Sequence, residues 1–475
     1  MRLKNKFVIF CLAAMSFPAV AQTGNPSRSQ PGTDTRLSVE ECLEMAEQKN
    51  AAVLNSRLDE EAALAQKREA LGEYFPRVSV NALGFYAFDP MLEIGVKDIL
   101  GNNNFSNNLQ SIINSIAGQI GIDPVYTTLK RGVTATVSVT QPIFAGGRIV
   151  NGNRLAALGL EAARLQGGIK QRETSEDVEK NYWQVISLEE KLKTLNQVQS
   201  LVDTLYKDVS SACKAGLATE NDLLQVKLKL NEVRSGKIRV KNGIRLAKMN
   251  LFNSIGQPYT PYSTISDGEI PYIDDITLTD RLDELKSPEE CYRPEEEIAA
   301  SQEESRLLDL SVRSKQLEKK MVLGETLPQI AVGASYGYGN LLNKGSFNGA
   351  VYAMVQIPLS DWGKTARKLQ RYDTQIQKAE NDKEYLNAQI ILQIRQLWLD
   401  LTASWEQLLV AKESVETSAS SVRQTEAHYK AGLSPLSELL QAQTQYRQVS
   451  DQYIDQCIAY KNAITAYLHR SGEKD

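Results

Sequence analysis

Two rhythms of apolar and polar residues run along this chain. The first is strict alternation. Val133, Ala135, Val137 and Val139 are interleaved with Thr134, Thr136, Ser138 and Thr140, the period-two pattern of a strand with one apolar and one polar face. Further on, Ile330, Val332, Ala334, Tyr336 and Tyr338 alternate with Ala331, Gly333, Ser335 and Gly337. The pattern predicts four strands, at about 78–88, 133–141, 329–338 and 349–357. Each is of the length that crosses a bilayer as a tilted strand, roughly 9–11 residues. An apolar face against lipid and a small or polar face against water would explain the alternation; so would a soluble sheet lying on a core. Aromatic residues near the strand ends (Tyr74, Phe75, Phe88, Phe144, Tyr338 and Trp362) favour the bilayer.

The second rhythm is a heptad. Leu223, Leu230, Ile244 and Leu251 fall on one seven-residue series in which Lys237 is the polar member, and Val226, Val233, Val240 and Ala247 form another. Ile394, Leu401, Leu408, Val415, Val422 and Tyr429 repeat likewise, as do Leu439, Tyr446, Tyr453, Tyr460 and Tyr467. A 3.5-residue period means left-handed supercoiling with side chains interdigitated. Two very long helices are expected, at about 147–213 and 363–429, partnered by shorter ones at about 221–253 and 436–468. At 1.5 Å per residue the longer pair would extend on the order of 100 Å. The tyrosine stripe reads as interhelical packing rather than a ligand track.

The same unit is written twice. Leu71-Gly72-Glu73 and Pro76 return as Leu323-Gly324-Glu325 and Pro328, and 323 − 71 gives an offset of 252. Gln141-Pro142 returns in Gln356-Ile357-Pro358, and Lys214-Ala215-Gly216-Leu217 as Lys430-Ala431-Gly432-Leu433, with 430 − 214 giving 216. The first copy therefore carries 252 − 216, or 36, extra residues between Tyr86 and Pro142. That loop, 87–132, includes an amphipathic stretch at Ile112–Ile120 and belongs on an outer surface. Each copy runs helix, strand, loop, strand, long helix, tight turn, long helix. The copies span 37–255 and 294–470; the Pro-, Tyr- and acid-rich segment 256–293 links them around the middle of the helices, and 471–475 is a tail.

Composition narrows the function. With 54 Lys+Arg against 58 Asp+Glu in 475 residues the net charge is −4, which excludes a basic nucleic-acid binder. A mean hydropathy of −0.34 and no apolar run of transmembrane length exclude a helical membrane protein. Arg2, Lys4 and Lys6, the apolar stretch Phe7–Ala14 and Ala19-Val20-Ala21 spell an export signal over 1–21, followed by a linker over 22–36. Cys42, Cys213, Cys291 and Cys457 are left, with three possible pairings or none.

Enzyme motifs fail on context. Gly333-Ala334-Ser335-Tyr336-Gly337 spells G-x-S-x-G inside an alternating strand and not at a strand–turn–helix elbow. Gly363-Lys364-Thr365 resembles a P-loop tail, but the earlier glycine it requires is Pro358. Two histidines, His428 and His469, leave little for a catalytic triad, and no zinc-ligand spacing occurs. No catalytic residue, metal or cofactor is expected.

Four strands cannot close on themselves, and an open sheet leaves unpaired backbone groups in lipid at several kcal/mol each. Copies must gather, and three would give twelve strands, enough for a lumen. In this order of elements, with its duplicated L-G-x-x-x-P strand starts and two K-A-G-L turns, the chain resembles the TolC family of outer-membrane efflux and secretion ducts. The resemblance implies a mixed α and β fold: four membrane strands per chain in a trimeric barrel, continued by an antiparallel coiled-coil helical tunnel in the periplasm. It implies partners as well: itself as a homotrimer, a periplasmic adaptor, through it an inner-membrane pump or ABC exporter, and outer-membrane lipid, but no nucleic acid.

By the same resemblance, Ala215, Gly216, Leu217, Ala431, Gly432 and Leu433 are adaptor-docking tips, and Asp222, Tyr429 and Glu438 form a periplasmic gate. The family's gate arginine is replaced by Ser434, and a second gate aspartate by Gln441. Asp222 and Glu438 read equally as solvated acids favouring a helix N-terminus. A structural coiled-coil fibre or adhesin is the rival reading of the heptads.

Overall fold

The computed structural model describes residues 35–88, 92–94, 101, 104–120, 126–128, 131–261, 270–282, 285, 287–340 and 345–472. The export signal expected at 1–21 and nearly all of the 22–36 linker lie outside them. The first copy supplies β1 (Thr35–Leu37), α1 (Val39–Lys49), α2 (Ala51–Gly72), β2 (Arg77–Tyr86), β3 (Leu92–Ile94), α3 (Asn104–Ile120), β4 (Tyr126–Thr128), β5 (Arg131–Ala145), α4 (Arg148–Lys214) and α5 (Glu220–Ser254). Then come β6 (Ile276–Leu278), α6 (Glu295–Ser301), α7 (Glu303–Gly324), β7 (Gln329–Asn340), β8 (Ser346–Gln356), α8 (Lys364–Lys430) and α9 (Leu436–Ser471).

Helix α4 and helix α8 are each 67 residues long, and both their starts (364 − 148) and their ends (430 − 214) differ by 216. Both follow a left-handed glycine, Gly147 and Gly363, each with φ of 78°. One residue earlier the copies differ: Gly146 has φ of 63°, and its counterpart Trp362 has φ of 57°. The first position requires glycine, because a Cβ on Gly146 would run into the carbonyl of Gly324 at the end of α7. Trp362 accepts a strained backbone, at a cost of roughly 1–2 kcal/mol. The Asp361 carboxylate holds that turn by accepting from the N–H of Gly363 at 3.1 Å and of Thr365 at 2.7 Å.

The four long strands form one antiparallel sheet in the order β2-β5-β7-β8, so the two copies join between β5 and β7. The strand expected over about 133–141 runs further. β5 continues through a register shift between Pro142 and Phe144 to Ala145, because a bulge accommodates the missing proline donor. Among the described residues no helix is long and apolar enough to cross a membrane.

Among the described residues three cores run along the helices. One joins α1, α4 and α5 to the linker through the parallel pairing of β1 with β6. Here the buried Tyr182 donates to the Leu37 carbonyl at 2.9 Å and to Asp280 at 2.6 Å, and burial pushes the Cys42 thiol up to about 12. The others are heptad seams, around Val202, Val226 and Leu439, and around Ile394, Leu401 and Tyr460. Cys42, Cys213, Cys291 and Cys457 are all thiols.

Candidate functional site

The register sorts the sheet's side chains into rows. Val78 faces Val139, which faces Ala334, which faces Val351; the next row on that side is Val80, Val137, Tyr336 and Gly349. The intervening rows are Ser79, Ser138, Ser335 and Ala350, then Asn81, Thr136, Gly337 and Asn348. Alternation within strands thus becomes one apolar and one polar face across the whole sheet. On the polar face the Ser79 and Ser138 hydroxyls meet at 2.8 Å, and those of Thr140 and Tyr352 at 3.3 Å. The apolar face is uncovered: Val80 is 71% exposed and Val351 87%. A soluble sheet lying on its own core is therefore not what this chain builds. Aromatics flank that face, with Tyr338 and Phe347 rings 5.4 Å apart at one end and Trp362, 98% exposed, beyond the other. The outer edges of β2 and β8 pair with nothing among the described residues.

At the far ends of the long helices sit the two tips. In each, glycine takes a left-handed turn, with φ of 74° at Gly216 and 73° at Gly432. The Leu217 N–H donates to the Ala212 carbonyl at 2.8 Å and that of Gly216 to Cys213 at 3.0 Å. Leu433 to His428 at 2.9 Å and Gly432 to Tyr429 at 3.0 Å repeat the arrangement. This is the Schellman closure, which normally tucks its last apolar residue back onto the helix. Here the leucines point away instead: Leu217 is 84% exposed and Leu433 76%.

Beyond the tips the copies diverge. Thr219 caps α5 in a reciprocal box with Asp222: the Asp222 N–H donates to the Thr219 hydroxyl at 3.1 Å. The Asp222 carboxylate accepts from the Thr219 N–H at 3.0 Å and from its hydroxyl at 2.7 Å, both on Oδ2. Helix α9 follows Pro435, which supplies no side-chain cap, and Glu438 is exposed. Of the three residues expected at a gate, two are brought together electrostatically. Burial, then the charges of Asp222 and Asp208, push the Tyr429 hydroxyl above its ordinary range. Glu438 shares no hydrogen bond or ion pair with either among the described residues. The cap role of Asp222 was readable as T-x-x-D; the Asp208 neighbour, about two turns before the tip, had no motif to mark it.

The tyrosine stripe packs between helices. Tyr460 is buried with its ring 5.0 Å from Trp405, and Tyr467 lies 5.2 Å from Trp398. The Tyr467 hydroxyl accepts from the Arg293 N–H at 3.0 Å.

The sequence model of the outer membrane efflux protein family matches residues 115–257 and 323–466, the two copies in turn. No curated protein matches the chain. Several solved structures share its fold. A membrane protein from Pseudomonas aeruginosa, 15% identical, aligns over 92% of this chain and 90% of its own with a TM-score of 0.71. The outer membrane protein VceC of Vibrio cholerae, also 15% identical, aligns over 92% and 96% with a TM-score of 0.67. The CmeC outer membrane channel of Campylobacter jejuni, 13% identical, aligns over 91% and 85% with a TM-score of 0.71.

Proposed function

Because the chain belongs to the outer membrane efflux protein family, whose members are transport ducts and not enzymes, we propose that it is the exit duct of a tripartite efflux or type I secretion system. One observation carries this reading: four strands from two sequence copies align in register to give an uncovered apolar face, a polar face and two unpaired edges. Such a sheet is stable in a bilayer only when its edges meet those of other copies. Three chains make a twelve-stranded barrel whose polar rows line a lumen. Helices α4, α5, α8 and α9 continue it into the periplasm as a tunnel on the order of 100 Å long.

The exposed leucines at 217 and 433, with Ala215, Gly216, Ala431 and Gly432, form the surface to which a periplasmic adaptor docks, and through it an inner-membrane pump or ABC exporter. Asp222 and Tyr429, with Glu438 across the turn, line the periplasmic mouth. Three chains place six carboxylates there, a constriction that draws cations. The cargo, small molecules or polypeptides, is selected by the pump.

Purified protein reconstituted into planar bilayers tests this. Stepwise conductance is expected, with divalent-cation block that weakens in an Asp222→Ala/Glu438→Ala variant. No conductance would return the chain to an exported fibre or adhesin; unchanged block would remove the carboxylate constriction alone.

A further inference from the structure

The connection from β2 to β5 contains a helix that the duct does not use. α3 has 17 residues and none is Asp, Glu, Lys, Arg or His. Phe105, Leu109, Ile112, Ile116 and Ile120 recur at three- and four-residue steps, which places them in a stripe about 80° wide on a helix. Phe105, Ile112, Ile116 and Ile120 are each more than half exposed. The opposite side carries Asn107, Ser111 and Asn114. Among the described residues no other element packs against α3 at more than isolated points. Helices in proteins draw most of their stability from packing an amphipathic face, so its apolar side needs a covering.

Chain connectivity indicates which covering. β2 ends at Tyr86 and β5 begins at Arg131, at the end of the sheet away from the long helices. Ten residues separate Ile120 from Arg131, which limits the helix to within about 35 Å of the sheet rim. The rim is aromatic, with Tyr86 and Phe347 both exposed. Tyr86 shares the apolar face with Val78 and Val80, and Phe88 packs edge-on against its ring at 6.5 Å. The chain thus leaves an edge strand on the apolar side of the sheet, away from the polar side where three copies would meet over a lumen.

We propose that α3 lies flat in the outer interface of the bilayer beside the barrel, its Phe105–Ile120 stripe at the acyl-chain boundary and its amide and hydroxyl groups among the lipid headgroups. This rests on reading the sheet as bilayer-spanning. The absence of any charge fits the site: nothing on the helix must be desolvated as an ion, and nothing repels an anionic surface.

Tryptophan quenching by lipids brominated high in the acyl chain tests it, on the full chain in vesicles. Ile116→Trp and Phe105→Trp are made in a Trp362→Phe background, where the remaining tryptophans, Trp183, Trp398 and Trp405, lie on the long helices. Quenching of about twofold is expected for both introduced residues, as for an interfacial helix, and none for Asn114→Trp. Absence of quenching in the first two would overturn the proposal, as would cross-linking of Ile116→Cys between copies, which would put the helix over the mouth. Trp362 in the natural chain is the separate control: if its emission is also untouched by brominated lipid, the sheet itself is not in the bilayer and the duct reading fails first.

Discussion

His469 illustrates what single residues contribute where the copies meet. Its Nε2 lies 2.9 Å from the Glu179 carboxylate, which also accepts from the Thr465 hydroxyl at 2.8 Å. Around it stand Arg172 and Glu176 on α4, Glu303 and Glu304 on α7, and Arg470 on α9. Arg172 bonds Glu303 at 2.7 Å and Glu304 at 2.6 Å, and Arg470 bonds Glu304 at 2.7 Å. The Glu179 hydrogen bond, working against burial, holds His469 above its ordinary value; burial does the same to Glu176, against the pull of His469, Arg470 and Arg172. A group whose folded pKa is raised stabilises fully below its unfolded pKa and loses that contribution as pH rises through the folded value. His469 therefore favours the fold fully below about 6.5, and Glu176 fully below about 4.5. Glu304 acts oppositely: burial pushes it up, but its own amide and the two guanidiniums outweigh this and hold it low, so its contribution fades only in strong acid. Thermal unfolding followed by circular dichroism should show rising stability as pH falls from about 8 towards 6. His469→Gln should flatten that rise and cost about 1 kcal/mol at the acidic end, the scale of a partly buried charged hydrogen bond. A variant with the natural pH profile would remove His469 from the account. None of this network was legible in the sequence, because its bonded partners are up to 290 positions apart and no motif joins them.

Elements were far more legible than such contacts. The long helices, expected near 147–213 and 363–429, form over 148–214 and 364–430, because heptads, glycine and the K-A-G-L turn are local signals. β1 and β6 left no trace, since three-residue strands have no periodicity and exist only through pairing across more than 200 residues. The tips lie between these cases: glycine announces the turn, the family resemblance implies leucines exposed for docking, and the structure turns both leucines outward. Exposed as they are, Leu217→Ser and Leu433→Ser should leave stability within about 0.5 kcal/mol of the natural chain. They should also leave bilayer conductance intact. If the tips dock an adaptor, the double variant, present in the outer membrane at the natural level, should fail to restore compound resistance to cells lacking this chain. Full restoration would free the leucines of that role. Gly216→Ala tests the turn itself: the left-handed conformation with a Cβ costs roughly 1 kcal/mol, and hydrogen exchange at position 216 and at Leu217 should quicken while exchange along the α4 seam does not.

For the whole molecule the question is which medium each face of the sheet meets, and one pair of neighbours answers it. Val80 and Asn81 sit side by side on β2, paired with Val137 and Thr136, and differ only in the face they present. In the isolated chain both are exposed, so for a water-soluble sheet arginine at either position would cost the same small amount. In a barrel the two positions part. Val80→Arg places a cation against acyl chains near the middle of the strand, at about 2–4 kcal/mol per chain. Three chains multiply the penalty, and trimers surviving in detergent should fail to insert or should appear in the membrane at a small fraction of the natural yield. Asn81→Arg points its charge into the water-filled lumen, where it should leave assembly intact, lower conductance and shift selectivity from cations towards anions. Equal yields of the two variants would mean that neither face meets lipid. The reverse ranking would turn the sheet inside out, with the Val78–Val351 row in the lumen, an arrangement that the uncovered valines and the serine and asparagine rows oppose.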